Sequence, residues 1–149
     1  MTTDHATVTA EEKTVRDFMS SWHVDQPKAY EHYLSKDCVW EQPGMPTANG
    51  KAECLAILEA WQAASPRSQG DHLFRLVIRN VAVRGAVVIV ERADEVIDES
   101  GQVVISFPCV GVFVVRNGFV CEWRDYYDAS PHRDLIERAV EHWTNRAHR

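Results

Sequence analysis

Two segments of this sequence place charged residues where a buried strand face is expected. Residues 86–97 alternate in polarity, and one face of the alternation is apolar except for Arg92 and Asp94. In residues 119–127, Asp125 shares a face with large apolar side chains in the same way. Alternate residues of a strand point to the same side, so these three charged groups are predicted to point towards the core or a pocket. The inward face of the second segment is predicted to contain Cys121, Trp123, Asp125 and Tyr127.

The three charged groups can satisfy one another if they meet. Removing an ionised carboxylate from water costs several kcal/mol unless it is paired. Side chains two residues apart on a strand are about 6.5–7 Å apart at the backbone, within reach of a guanidinium, so Arg92 is predicted to bridge Asp94 and Asp125. Neighbouring carboxyls have unequal proton affinities, so one tends to keep its proton while the other stays ionised. General acid–base catalysis needs such an acid and base.

The same pattern also has a purely structural explanation. A buried ion network of Arg92, Asp94 and Asp125 fixes strand register without doing chemistry. The opposite strand parity would instead place these groups in solvent. Because an Arg-x-Asp string is common, the residues alone leave these alternatives open.

Helices are predicted on both sides of the strand-rich region. Thr9 and Glu12 form a capping box before an amphipathic stripe, and residues 1–8 are predicted to be a loose tail. The later helices are predicted to start at Pro27, Asn49 and Ser130.

The strands are predicted at residues 38–42 and then as about four consecutive antiparallel segments between residues 72 and 127. The strongest hairpin signal is Asn117-Gly118. Helices followed by a strand meander predict an α+β fold in a single domain, residues 1–149, with a curved sheet folded over the N-terminal helices. A deep pocket between the two layers is expected.

Composition limits the classes of partner. The 149 residues carry a formal net charge of −6, which argues against nucleic acid or an anionic membrane. The sequence shows no signal peptide and no spanning segment, so a cytoplasmic protein is expected. The cysteines are widely spaced and expected to be reduced, and the histidines form no metal-binding motif. The cysteines are Cys38, Cys54, Cys109 and Cys121.

The charged segments resemble the limonene-1,2-epoxide hydrolase family. The resemblance rests on Glu91-Arg92-x-Asp94, on Gly111-Val112-Phe113, on Gly118, and on Trp123-Arg124-Asp125-Tyr126. It implies a fold like nuclear transport factor 2 and ketosteroid isomerase, with a cone-shaped, curved, mixed or antiparallel sheet packed on N-terminal helices. It also implies one-step opening of an epoxide by water, without metal, cofactor or covalent intermediate.

Carried over by position, the resemblance implies one role for each charged residue. Asp125 is the general base that deprotonates water, Asp94 is the general acid that protonates the epoxide oxygen, and Arg92 holds both carboxyls. The family usually positions the water with a Tyr and an Asn on the first strand. Trp40 and Gln42 occupy these positions here, so a Trp N–H that cannot accept replaces a hydroxyl that can. Plain core packing is the alternative for Trp40, and a strand-end polar group is the alternative for Gln42.

The substrate is expected to be a lipophilic small molecule, because the candidate pocket residues are apolar and aromatic. These candidates are Phe18, Trp22, Leu55, Leu58, Trp61, Phe74, Leu76, Ile78, Phe107 and Phe113. Three functions are considered: an epoxide hydrolase, an epoxide-opening cyclase or isomerase that uses the same pocket, and a non-catalytic binding or dimerisation module. A homodimer formed through the outer sheet face, around residues 107–115, is also expected.

Overall fold

The computed structural model describes residues 7–65, 73–146 and 148. Residues 1–6 of the predicted tail and residue 72 of the first predicted meander strand lie outside the described residues. The elements in chain order are α1 (Ala10–Ser20), α2 (Trp22–Tyr33), β1 (Leu34–Glu41), β2 (Ala48–Asn49), α3 (Lys51–Ala64), β3 (Leu73–Arg84), β4 (Val87–Ile97), β5 (Val103–Arg116), β6 (Phe119–Tyr126), a 3₁₀ turn (Ser130–His132) and α4 (Arg133–Arg146).

The strands form a six-stranded sheet in the order β2-β1-β6-β5-β4-β3. Strands β3 to β6 are the predicted antiparallel meander. Strand β1 returns beside β6 in parallel, which makes the sheet mixed and places Trp40 opposite Trp123. The α+β prediction is therefore confirmed.

Turn and cap residues explain several element boundaries. Asn117 and Gly118 both have positive φ, 54° and 78°, as the predicted two-residue hairpin turn requires. Thr9 accepts a hydrogen bond from the Glu12 backbone N–H at 3.1 Å, which confirms the first cap. The predicted Asn49 cap is wrong. Gly50, with φ 96°, precedes α3, whereas Asn49 pairs with Val39 of β1.

Two other boundaries differ from the sequence prediction. Helix α2 starts at Trp22 rather than Pro27, but it is kinked at Asp25, whose carboxylate accepts from the Lys28 N–H at 3.0 Å and caps the second part. Strand β6 carries an irregularity, because Val114 pairs with Glu122 whereas the next residue of β5 pairs with Val120. The prediction that Cys121 points inward is therefore wrong: Val120 is fully buried, and Cys121 is half-buried.

The core lies between the concave sheet face and the helices, where aromatic rings cluster around Trp123. The inward face of β4 is buried from Val88 to Arg92 at every second residue, as the alternation predicts. No helix in the described ranges is long and apolar enough to cross a membrane.

Candidate active site

Arg92 joins the two predicted carboxylates in one buried network. Its Nε and Nη2 donate to the two oxygens of Asp94 at 2.9 and 3.1 Å. Nη2 also donates to Asp125 Oδ1 at 3.0 Å. The Arg92 and Asp125 side chains are 1% and 5% exposed, whereas Asp94 is 21% exposed. The sheet thus brings together the three residues that strand parity indicated.

Gly111 gives the guanidinium room to reach Asp125. Strand β5 lies between β4 and β6, and Gly111 pairs with Asp125 on one side and with Val90 on the other. A Cβ at Gly111 would lie 2.4 Å from Arg92 Nη1 and 3.1 Å from Asp125 Oδ1. Any side chain here would therefore occupy the space through which Arg92 crosses the strand.

Trp123 supplies a second hydrogen bond to Asp125. Its indole Nε1 donates to Oδ1 at 2.8 Å, so Trp123 and Arg92 converge on one carboxylate oxygen. No N–H of the described residues donates to Oδ2. Strand alternation predicts Trp123 on the inward face but does not predict this hydrogen bond. The sequence pattern that could have indicated the bond is a Trp two residues before an Asp, because such residues share one face of a strand.

The electrostatics of the network raise the pKa of Asp94 above the usual range of an Asp. Burial raises the pKa of Asp94, and the nearby Asp125 charge raises it further, while Arg92 opposes both effects. Burial alone would lower the pKa of Arg92, but the charges of Asp125 and Asp94 outweigh burial and raise it, so Arg92 remains cationic. A neutral carboxylic acid beside a fixed cation can donate a proton to a substrate oxygen.

Two further groups around Asp125 keep their protons. Burial, followed by the charge of Asp125, raises the pKa of the Tyr30 hydroxyl and that of the Cys109 thiol. Tyr30 lines the same cavity. It was not predicted as a site residue, because it lies on helix α2, far in sequence from the strands that carry the charged residues. Both groups are therefore neutral neighbours of the network.

The predicted water-positioning residues both line the cavity, but their contacts differ from the expected ones. The Trp40 ring stacks on Trp123, with centroids 4.3 Å apart and planes at 9°. Gln42 follows β1, and its Oε1 accepts from Trp61 Nε1 at 3.2 Å. An indole N–H only donates, so the Gln42 amide must present its oxygen to Trp61. The Gln42 amide oxygen, the group at the position of the family's Asn that could accept from a water, is thus already shared with Trp61.

The network lies in a cavity of about 140 Å³ between the sheet and the helices. Predicted lining residues found there are Trp22, Leu58, Trp61, Phe74 and Phe107. Candidates that do not line it are Phe18, Leu55, Leu76, Ile78 and Phe113. Lining residues that were not among these candidates are Gln26, Tyr30, Gln62, Ser65, Val96, Ile105, Trp123, Tyr127 and Leu135. The lining is thus mainly apolar and aromatic around one charged network.

Four buried side-chain nitrogens within the described ranges have no hydrogen-bond partner, and each belongs to a cavity-lining residue. They are Trp22 Nε1, Trp40 Nε1, Gln42 Nε2 and Arg92 Nη1. A buried unpaired donor costs about 1–3 kcal/mol. All four are donors, so the cavity has an excess of N–H groups.

Among the described residues, no group of three or more His, Cys, Asp or Glu side chains could hold a metal ion. Arg92 and the two carboxylates are instead arranged for proton transfer and for hydrogen bonding to an oxygen-containing ligand.

Comparison with known proteins gives a consistent picture. A family model, the limonene-1,2-epoxide hydrolase catalytic domain, matches residues 9–138. The chain is 33% identical over 95 residues to epoxide hydrolase EphG of Mycobacterium tuberculosis (strain ATCC 25618 / H37Rv), in an alignment covering 64% of this chain and 58% of that protein. The chain thus spans less than two thirds of the length of that relative.

Solved structures agree with this match. A limonene-epoxide-hydrolase-like epoxide hydrolase of M. tuberculosis has a TM-score of 0.65 and 26% identity, covering 89% of this chain and 93% of that one. A SnoaL-like protein from Jannaschia sp. CCS1 has a TM-score of 0.68 and 21% identity over 89% and 96% of the two chains, which shows the fold alone. With its nuclear transport factor 2-like fold and a family match over most of its length, the chain belongs to the limonene-1,2-epoxide hydrolase family.

Proposed function

We propose that this protein hydrolyses a lipophilic epoxide to a vicinal diol in one step. Asp125 is the general base, Asp94 is the general acid, and Arg92 holds both carboxyls. The observation that carries the proposal is the double engagement of Arg92, which donates to Asp94 and Asp125 inside one mainly apolar cavity.

Each proton has a defined place in this reaction. Asp125 Oδ2, which receives no N–H bond from the described residues, takes a proton from water as the water oxygen attacks an epoxide carbon. The carbon–oxygen bond of the ring breaks, and Asp94 gives its proton to the departing oxygen. The diol therefore contains the atoms of the epoxide and of one water molecule. The proton on Asp125 returns to Asp94 through solvent, which restores both carboxyls.

The elevated pKa of Asp94 supports its assignment as the acid, because the proton must be present before the ring opens. The aromatic and aliphatic lining supports a substrate whose body is hydrocarbon. Arg92, Asp94 and Asp125 line a cavity of about 140 Å³ rather than a filled core, which favours catalysis over a non-catalytic ion network.

A second candidate uses the same acid and base but a hydroxyl of the substrate as nucleophile, which gives a cyclic ether. One observation favours it. Gln42 Oε1 already accepts from Trp61, so less acceptor capacity remains to orient a water than in the arrangement the resemblance implies.

Turnover of an epoxide that carries a free hydroxyl, in oxygen-18 water, tests both candidates. Incorporation of one label into a diol supports hydrolysis, and an unlabelled cyclic ether supports internal attack. Asp94→Asn and Asp125→Asn should each abolish product formation while the circular dichroism spectrum is unchanged. Wild-type rates in both variants would refute both candidates.

We also propose that two copies pair through the outer sheet face. Val110 on β5 lies opposite Tyr126 on β6, and these side chains are 37% and 57% exposed. Burial of such apolar area supports association. Sedimentation at several concentrations tests it, with Tyr126→Lys expected to yield monomers.

A further inference from the structure

The unpaired donors of the cavity are concentrated on the segment that includes the end of β1. Trp40 Nε1 and Gln42 Nε2 are both buried without a hydrogen-bond partner, and both residues line the cavity. They are two positions apart in the chain, which puts their side chains on one side of an extended segment. Each of these nitrogens has less than 1 Å² of accessible surface, so a ligand oxygen reaches it once the side chains around the cavity shift to admit the ligand.

The other two unpaired donors are less available. Arg92 Nη1 lies over the backbone of Gly111, where a Cβ would be only 2.4 Å away. Trp22 is on α2, and the Arg92 guanidinium lies over its ring at 5.6 Å from the centroid. The residues at the end of β1 are therefore the better donors for a ligand.

A single attacking water cannot use all the N–H groups at the end of β1. Gln42 Nε2 carries two hydrogens and Trp40 Nε1 carries one. A water oxygen has two lone pairs, and one must remain free to attack carbon, so it can accept one of these three hydrogen bonds. Trp61 fixes the Gln42 amide with its oxygen turned towards the Trp61 indole, so rotation cannot exchange the NH₂ for an acceptor without losing that bond.

From this surplus we infer that the substrate carries a second oxygen acceptor besides the epoxide oxygen. A carbonyl group of a ketone, ester or amide, bound by Gln42 Nε2 and Trp40 Nε1, would satisfy two of the donors at once. This inference rests on the proposed function and narrows its substrate class from hydrocarbon epoxides to epoxides with a carbonyl on their side chain.

Two epoxides of almost identical shape test the inference. One is 1-methyl-4-isopropenylcyclohexene 1,2-epoxide, and the other is its 4-acetyl analogue, in which oxygen replaces the terminal CH₂. The wild type is expected to have a kcat/KM about tenfold higher for the acetyl compound, because an unsatisfied polar site rejects the analogue that lacks the acceptor. Equal kcat/KM values, or a preference for isopropenyl, would overturn it.

Two variants test whether Gln42 and Trp40 provide the donors that bind the carbonyl group. Gln42→Glu keeps an oxygen for Trp61 but removes the N–H groups, and Trp40→Phe keeps an aromatic ring over Trp123 but removes its donor. Both are expected to reduce the ratio of the two kcat/KM values towards one. General damage to the fold would instead lower both values together. A wild-type ratio in both variants would overturn the assignment.

A binding measurement separates this inference from the proposed function. The corresponding alkenes, which have no epoxide, are titrated against the intrinsic tryptophan fluorescence, since Trp22, Trp40, Trp61 and Trp123 line the cavity. A Kd about tenfold lower for the acetyl alkene supports the carbonyl site even if neither epoxide is hydrolysed, an outcome that refutes only the proposed function. Equal Kd values would overturn the carbonyl site.

Discussion

The indole N–H of Trp123 donates to Asp125 over 2.8 Å, onto the oxygen that also accepts from Arg92. Two donors on Oδ1 hold the carboxyl plane in one orientation and leave Oδ2 without an N–H bond from the described residues. A base that must take a proton from a small, mobile molecule benefits from such fixed placement.

The first prediction concerns Trp123 as a positioning residue. Trp123→Phe removes the N–H but retains an aromatic ring against Trp40. A hydrogen bond to a charged group contributes about 1.5–3 kcal/mol, so kcat should fall at least about tenfold. KM should change less, because the Asp125 contact with Arg92 remains. Steady-state kinetics on a hydrocarbon epoxide measures both. An unchanged kcat would show that the Trp123 bond has no part in orienting the base.

A second prediction concerns pH. Burial raises the pKa of Asp94, so its protonated form persists above the usual range of an Asp. If this proton is donated in catalysis, kcat/KM must fall as pH rises through the pKa of Asp94. A pH–rate profile with a buffer control measures this limb. Activity that rises steadily through that interval would rule out Asp94 as the acid.

The third prediction links the same group to stability. The folded protein binds the Asp94 proton more tightly than the unfolded chain does. This contribution is fully present below the unfolded pKa and is lost as pH rises through the folded pKa. Asp94→Asn has no proton to lose, so its Tm relative to the wild type should increase with pH over this window. Calorimetry of the two proteins at matched pH values tests this, and a constant difference would contradict it.

The fourth prediction concerns the space over Gly111. Its φ is not in the left-handed region, so Gly111→Ala suits the backbone, and the effect comes from contact with Arg92 Nη1 and with Phe113 Cε2, which would lie 2.4 and 2.8 Å from the new Cβ. Overpacking of this kind typically costs about 1–3 kcal/mol. The displaced guanidinium should also lower kcat/KM more than tenfold.

Val112→Ala on the same strand is the matched control for Gly111→Ala, since Val112 faces the other side of the sheet. The control should have nearly wild-type kcat/KM. If Gly111→Ala were as active and as stable as this control, the guanidinium would not depend on the empty space at Gly111.

Local sequence patterns predicted much of the fold and the centre of the site. Alternation in β4 and β6 was sufficient to put Arg92, Asp94 and Asp125 on the inner face, because strand periodicity is set by the backbone itself. The Asn117-Gly118 hairpin was predictable because the positive φ angles of its turn depend only on these two residues. The irregularity that turns Cys121 away was not, since it depends on how β5 and β6 pair.

The remaining site features depend on contacts between distant segments. The bond from Trp61 to Gln42 joins α3 to the end of β1, and Tyr30 reaches the cavity from the second half of a kinked helix. No local periodicity specifies which residues of separate elements meet. The Asn49 cap failed for a related reason, because pairing with β1 took that residue into the sheet.

The parallel pairing of β1 with β6 has a consequence for how the protein acquires activity. Trp40 and Trp123 meet only when residues from the first third of the chain dock beside one of its last strands. Closing so long a loop has a large entropic cost, which favours formation of the local β3–β6 hairpins before β1 adds to their edge. Recovery of turnover during refolding should therefore lag behind the appearance of sheet structure.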